Sequence, residues 1–188
     1  MNQDKVKQFL SASRDLIKLS SELGYGDPFA SYRIREIMLS IHLNHVLAKT
    51  LHFEDARNEN DEKVEYKTSV IQKSKSVSQS LTGRYEISWQ ETWEKQKEYM
   101  LNEKIANNVY HYFALFCDAT YRILEIRRMT GMQAYNLLLP KIKDKYVKRY
   151  TTKSKDGTLH ASLSAKEIRN NSEKVYYWLD DPESFFTD

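Results

Sequence analysis

Nine consecutive residues, Val109-Tyr-His-Tyr-Phe-Ala-Leu-Phe-Cys117, constrain this chain most. A run this short, apolar and aromatic, reads as a central buried strand. Asp118-Ala119 then turns the chain. Tyr121 to Met129 alternates well enough to be the antiparallel neighbour, with Arg127 and Arg128 near its end. A sheet therefore lies at the centre of whatever the chain builds.

Composition sets the bounds around that sheet. A length of 188 residues is enough for one domain with a sizeable core, and no repeat or linker divides it. An apolar content of 40% with 13 tyrosines marks a folded chain and not a disordered one. The single Cys117 excludes an internal disulfide and any cysteine-based zinc site, and so favours a reducing, cytoplasmic home. The N-terminus alternates charge and apolar residues, so no signal peptide is expected, and no stretch is long enough to span a membrane. The net charge of +3 is too small to indicate nucleic acid by itself. Its distribution is more pointed: Tyr121 to Lys155 holds ten basic residues against Glu125 and Asp144, a local surplus of +8 and a candidate phosphate-contacting surface.

The remaining elements follow from periodicity and caps. Asp4 to Leu23 is spaced as a helix that Gly24 stops, and Ser31 is placed to cap a second helix from Tyr32 to about Lys49. Ser88-Trp-Gln-Glu91 fits a capping box for a helix over Trp89–Glu103, whose tryptophans are expected in the core. Thr130 caps a helix to about Leu139, which Pro140 should end or kink. Asp156-Gly157 signals a hairpin between Tyr150–Ser154 and Thr158–Leu163, and Ser164-Ala-Lys-Glu167 is a second capping box. Lys174 to Leu179 reads as a last strand. His42 and His45 lie three apart on the second helix, without the further ligands a metal would need. They are read as core or surface residues, as are His52, His111 and His160.

The chemistry concentrates between Asp55 and Lys67. Lys63 to Val70 reads as a strand, so Glu65 and Lys67 share one face while Val64, Tyr66 and Thr68 take the other. Pairing across the Arg57–Asp61 turn would bring Asp55 to the same edge. Two carboxylates and an ammonium at one point can hold a divalent cation through oxygen ligands and place a water beside it. A rival triplet, Asp61-Glu62-Lys63, sits in the polar turn without flanking strand residues. The bland counterpart is a solvated salt bridge on an exposed strand.

Asp55…Glu65-Tyr66-Lys67 resembles the PD-(D/E)xK nuclease motif, and its surroundings resemble a type II restriction endonuclease. A helix carrying Arg35-Glu36 within Ile34-Arg-Glu-Ile-Met-Leu39 leads into the motif, as in many members of that superfamily. The residue before Asp55 is Glu54 where the motif's name has proline, a position that varies in the family. The resemblance implies a single α/β domain with a restriction-endonuclease-like central mixed β-sheet flanked by helices. Its catalytic core would span about residues 31–129, and a DNA-contacting region about 140–163. It further implies Mg2+ held by Asp55, Glu65 and the Tyr66 carbonyl, and Lys67 orienting or deprotonating the attacking water with a pKa lowered by the cation. Glu36 would assist the metal site; the counterpart is an exposed glutamate bonded to Arg33 or Arg35. Gln72, Lys73, Lys75 and Arg84 become DNA-contact candidates, and Lys148, Arg149 and Lys153 candidates for reading bases. The implied partners are double-stranded DNA and, for a palindromic target, a second copy in a homodimer; no membrane is involved. Two other functions stay open: a repair or recombination nuclease cutting by DNA structure, and a DNA-binding protein without catalysis. The five glycines form no phosphate loop or dinucleotide fingerprint, and no nucleophilic serine or cysteine elbow is present.

Overall fold

The computed structural model describes residues 2–30, 33–48, 54–71, 80–117, 121–151 and 157–177. Among them the chain runs α1 (Gln3–Glu22), α2 (Arg33–Leu43), β1 (Val46–Leu47), β2 (Ala56–Arg57), β3 (Lys63–Ile71) and β4 (Gly83–Ser88). It continues through α3 (Trp93–Tyr99, extended by a π-helical turn at Met100–Lys104), β5 (Tyr110–Cys117), β6 (Ile123–Thr130), α4 (Gly131–Thr151), β7 (Thr158–Leu163), α5 (Ala165–Asn171) and β8 (Glu173–Tyr177). The described strands form a mixed sheet in the order β1-β2-β3-β5-β6-β8 and a separate two-stranded ribbon, β4-β7. Among the described strands only β3 and β5 pair in parallel, and β4 and α3 lie in the crossover such a pair requires. The result is a single-domain α/β protein whose central sheet is flanked by helices.

β5 holds the middle of this sheet, with Tyr112, Ala114 and Phe116 facing one core and Phe113 and Leu115 the other. The first core is closed by Ile37 and Leu39 of α2, with Val64 and Tyr66 of β3. The second lies beneath α4 and the β4-β7 ribbon, where Tyr85, Leu138, Ile142 and Leu163 meet. Each fully buried Phe or Leu here stabilises the fold by about 1.5–3 kcal/mol. Gly83 lets the ribbon approach: a Cβ at that position would lie 2.4 Å from Phe113 Cε1.

Several sequence expectations hold. The central strand and its antiparallel neighbour are β5 and β6. The first helix is capped by Asn2, whose Oδ1 accepts from the Asp4 and Lys5 amides, and the chain turns away at Gly24 with φ +75°. The Ser164–Glu167 capping box is complete in both directions. The last strand is β8.

Four expectations need correction. α2 ends at Leu43 and not near Lys49, because Asn44 takes a left-handed φ of 56° and Val46-Leu47 is drawn into pairing with β2. The Ser88–Glu91 box opens no helix. Ser88 is held in β4 opposite Thr158, and Thr92 caps α3 instead, accepting from the Lys95 amide. α4 passes through Pro140 to Thr151, since Ala134, Leu138, Ile142 and Tyr146 bury one stripe on both sides of the proline. Its packing outweighs the missing amide bond. Tyr150 and Thr151 therefore belong to a helix, and β7 pairs with β4 rather than with a strand over Tyr150–Ser154. Ser31 and His52 lie outside the described residues.

Candidate active site

β2 and β3 form the expected hairpin, Ala56 opposite Val64 and Arg57 opposite Lys63. Asn58 builds its turn: the side-chain Oδ1 accepts from the amides of Asn60 and Glu62, and Asp61 takes a positive φ of 60°. β2 begins at Ala56, and the side chain of Asp55, just before it, takes the next place along the edge of β3. Its Oδ2 accepts from the Tyr66 amide at 2.6 Å. In a strand the N–H and C=O of one residue point to the same side, so the Tyr66 carbonyl faces the Asp55 edge too.

Glu65 and Lys67 share the opposite face from Tyr66, and the Lys67 ammonium donates to Glu65 Oε1. Glu65 is only 7% exposed, so this is a buried pair and not the solvated salt bridge of an exposed strand. β4 covers it from above. The Lys67 ammonium lies 4.9 Å from the Tyr85 ring centroid, and Tyr85 is itself fixed from behind. His111 Nε2 lies 2.9 Å from the Ile105 carbonyl, which can only accept, so the imidazole proton sits on Nε2. Nδ1 then accepts from the Tyr85 hydroxyl at 3.0 Å. Burial pushes the His111 pKa down to about 4, consistent with this neutral tautomer.

Charge in the cluster is unevenly shared. Burial and then the neighbouring Glu65 carboxylate raise the pKa of Asp55. Burial works to raise Glu65 as well, but the Lys67 charge outweighs it and holds Glu65 below its ordinary value. For Lys67 burial works downward, and Glu65 and Asp55 outweigh it, so the side chains of the chain raise its pKa and keep it protonated. The lowered value expected beside a cation is not what these side chains produce by themselves.

A cavity of about 500 Å3 opens on this edge, lined by Glu36, Asp55, Lys67, Arg84, Tyr85 and Lys104 among others. Glu36 reaches it from α2. It is mostly buried and bonded to Arg33 Nη1 at 3.3 Å, so it is neither the exposed glutamate nor unpartnered. Arg33 is braced in turn by the Tyr25 and Ala48 carbonyls. Burial raises the Glu36 pKa despite that guanidinium. Sequence reasoning singled out Asp55, Glu65, Lys67, Glu36 and Arg84, all of which are brought to this edge. It missed Tyr85, His111 and Lys104. The signal for Tyr85 was present in the alternation Gly83, Tyr85, Ile87 along a strand, whose buried face it shares.

Magnesium favours hard oxygen ligands and keeps several of its waters. Asp55, Glu65 and the Tyr66 carbonyl are such a donor set, on an edge where two carboxylates share one ammonium. Among the described residues no three His, Cys, Asp or Glu side chains gather as a metal cage, so a cation would need the carbonyl and outside oxygens as well. The Lys67 ammonium already occupies Glu65 Oε1, so a cation at that oxygen would displace it.

The expected basic surface is broken up. Arg127 is bonded to Glu125, Arg128 to Glu173, Lys141 to Glu167 and Lys148 to Asp144. Glu125 and Asp144 belong to the same stretch, and Glu173 and Glu167 reach Arg128 and Lys141 from outside it, so two of the eight surplus charges are neutralised from elsewhere in the fold. Arg149 donates to the Thr158 carbonyl at 3.0 Å. Arg84 is exposed and meets Glu86 at 3.3 Å. Gln72, Lys73, Lys75 and Lys153 lie outside the described residues. The remaining described histidines fit core or surface roles: His45 Nδ1 meets the Tyr66 hydroxyl at 2.8 Å, His42 packs edge-on against Tyr176, and His160 lies 3.7 Å from Glu86. No described helix is long and apolar enough to cross a membrane. The chain matches no known family model and no curated protein.

Proposed function

We propose that this chain hydrolyses phosphodiester bonds in double-stranded DNA with Mg2+, as a type II restriction endonuclease of the PD-(D/E)xK superfamily on a restriction-endonuclease-like sheet. One observation carries the reading: Asp55, Glu65 and Lys67 converge at the edge of β3, beside a cavity that Arg84 and Lys104 also line. Phosphodiester hydrolysis needs an oriented water, charge compensation at phosphorus and help for the leaving alkoxide. Asp55, Glu65 and the Tyr66 carbonyl would hold the cation, which supplies charge compensation and an acidified water when bound. Lys67, protonated among its carboxylates, serves first as a donor that orients the attacking water and steadies the phosphate oxygens. It becomes a base only once those carboxylates are otherwise engaged. Arg84 and Lys104 on the cavity wall would neutralise neighbouring phosphates. Glu36 places a further carboxyl opposite Lys67. A palindromic target would be met by a two-fold pair of chains.

The test is digestion of unmethylated DNA of known sequence, with Mg2+ and with chelator, by wild type, Lys67→Ala and Asp55→Asn. Discrete Mg2+-dependent fragments are expected from wild type alone. Lys67→Ala exposes the buried Glu65 to the loss of its countercharge, so circular dichroism must accompany it. Asp55→Asn keeps an oxygen for the Tyr66 amide and removes the ligand charge, so it should fold normally. A folded Asp55→Asn protein with full activity would sink the assignment. A smear, or cutting of branched DNA only, would keep the site and move the chain to the repair class.

A further inference from the structure

At the end of β4 opposite the candidate site, four aromatic residues from three segments stack together. Trp89 lies face to face with Tyr146 of α4, centroids 4.2 Å apart and planes within 5°. Trp93 meets Tyr146 edge-on at 5.3 Å. Tyr146 is buried, and its hydroxyl is anchored on the Gln90 and Glu91 carbonyls. One turn further along α4, Tyr150 lies nearly parallel to Tyr146, centroids 6.5 Å apart, and is 60% exposed. The ladder thus begins in the core and ends on an open ring. As expected, both tryptophans pack against the core, each half-buried there.

Tyr150 stands between two open hollows. One of about 430 Å3 is lined by Trp93, Lys143, Tyr146 and Val147, and another of about 790 Å3 by Trp89, Gln90, Lys95 and Gly157. The Arg149 guanidinium is 5.9 Å from the Trp89 ring. Around the ladder, Lys95, Lys143, Lys148 and Arg149 stand against Glu91, Glu94 and Asp144, of which Glu91 and Asp144 are paired with Lys95 and Lys148. A flat aromatic face beside Lys143 and Arg149 can take a nucleobase by its π-face and the adjoining phosphate by charge. Arg84 beside the candidate active site and Trp89, just past the end of β4, are five residues apart, about 16 Å at the rise of a strand.

We propose that Trp89, Tyr146 and Tyr150 form a stacking platform for an unpaired base of a nucleic acid, with Tyr150 the ring in direct contact. The choice of nucleic acid rests on the nuclease reading, but the stacking needs neither metal nor cleavage. The test is fluorescence anisotropy of a labelled short single-stranded oligonucleotide in chelator, for wild type, Tyr150→Ala and Tyr150→Phe. Stacking predicts that Tyr150→Ala weakens binding about ten-fold while Tyr150→Phe stays within about two-fold of wild type. An oligonucleotide with abasic sites at its centre should bind wild type as weakly as the intact one binds Tyr150→Ala. Equal affinity of Tyr150→Ala and wild type would overturn the proposal, as would equal binding of the abasic strand. Loss of self-association in Tyr150→Ala with oligonucleotide binding unchanged would overturn it too, in favour of a protein contact. The nuclease reading survives any of these, because Asp55, Glu65 and Lys67 are untouched; failure of Mg2+-dependent cleavage with stacking intact would separate the two the other way.

Discussion

Lys67 sits above Glu65 against a tyrosine ring that is itself held by a histidine, and this chain of contacts fixes where the ammonium can point. Tyr85→Phe keeps the ring under Lys67 but strands the buried Nδ1 of His111. It should therefore cost about 1–3 kcal/mol in urea unfolding, with little change to the shape of the site. An unchanged midpoint would mean that the Tyr85 hydroxyl is not the partner of His111. Asp55 differs in kind from Lys67, since its carboxyl is buried beside a second carboxylate. Asp55→Asn should leave the melting temperature equal or higher in chelator, and abolish any rise on adding Mg2+. A Mg2+-induced rise of wild-type size in that variant would show that Asp55 holds no cation.

At the level of elements, the site depends on a ribbon that is not part of the main sheet. β4 brings Tyr85 over Lys67 and Arg84 to the cavity because Gly83 allows it to lie close on Phe113. Gly83→Ala would put a methyl group 2.4 Å from a fully buried ring. Either Phe113 or β4 must shift, at a cost of about 1–3 kcal/mol. Cleavage should fall by more than that loss of stability explains, because the shift displaces Tyr85. Activity at wild-type level with reduced stability would show that Phe113, and not β4, gives way. α1 stands apart from this arrangement: of its 20 residues only Ser20 is buried, while Phe9, Ile17 and Leu19 are exposed.

Across the whole molecule, Glu125 ties β6 to α5 from a fully buried position, with Arg127 Nε at 2.8 Å and Arg169 Nη2 at 2.6 Å. Burial works to raise its pKa, but the hydrogen bonds and charges of Arg169 and Arg127 outweigh it and hold it below 4.5. A carboxyl depressed in the folded state contributes stability above its unfolded pKa and loses it as pH falls through the folded one. The melting temperature should therefore drop as pH falls below about 4.5, and Glu125→Gln should flatten that drop. At neutral pH the same variant should be destabilised toward the lower end of ~3–5 kcal/mol, since water still reaches both arginines. An acid limb as steep in Glu125→Gln as in wild type would assign the drop to other carboxylates.

The sequence alone determined features that rest on nearest neighbours along the chain. Alternation placed Glu65 with Lys67 and Tyr66 on the other face, the apolar run made β5 central, and Ser164 with Glu167 closed a capping box, because each depends on strand or helix geometry over a few residues. Tertiary structure decided whatever depends on partners distant in sequence. Ser88 and Glu91 match a capping box locally, yet pairing with β7 holds Ser88 in a strand. Pro140 should interrupt a helix locally, yet a buried stripe on both sides of it carries α4 through. The ten basic residues from Tyr121 to Lys155 look like one positive surface in sequence, yet Glu173 and Glu167 reach Arg128 and Lys141 from other elements. Tyr85 and His111 lie 26 residues apart, and only the approach of β4 to β5 at Gly83 brings them together behind Lys67. Local propensities amount to a fraction of a kcal/mol per residue, whereas burying one core side chain is worth about 1.5–3 kcal/mol, so packing prevails wherever the two conflict.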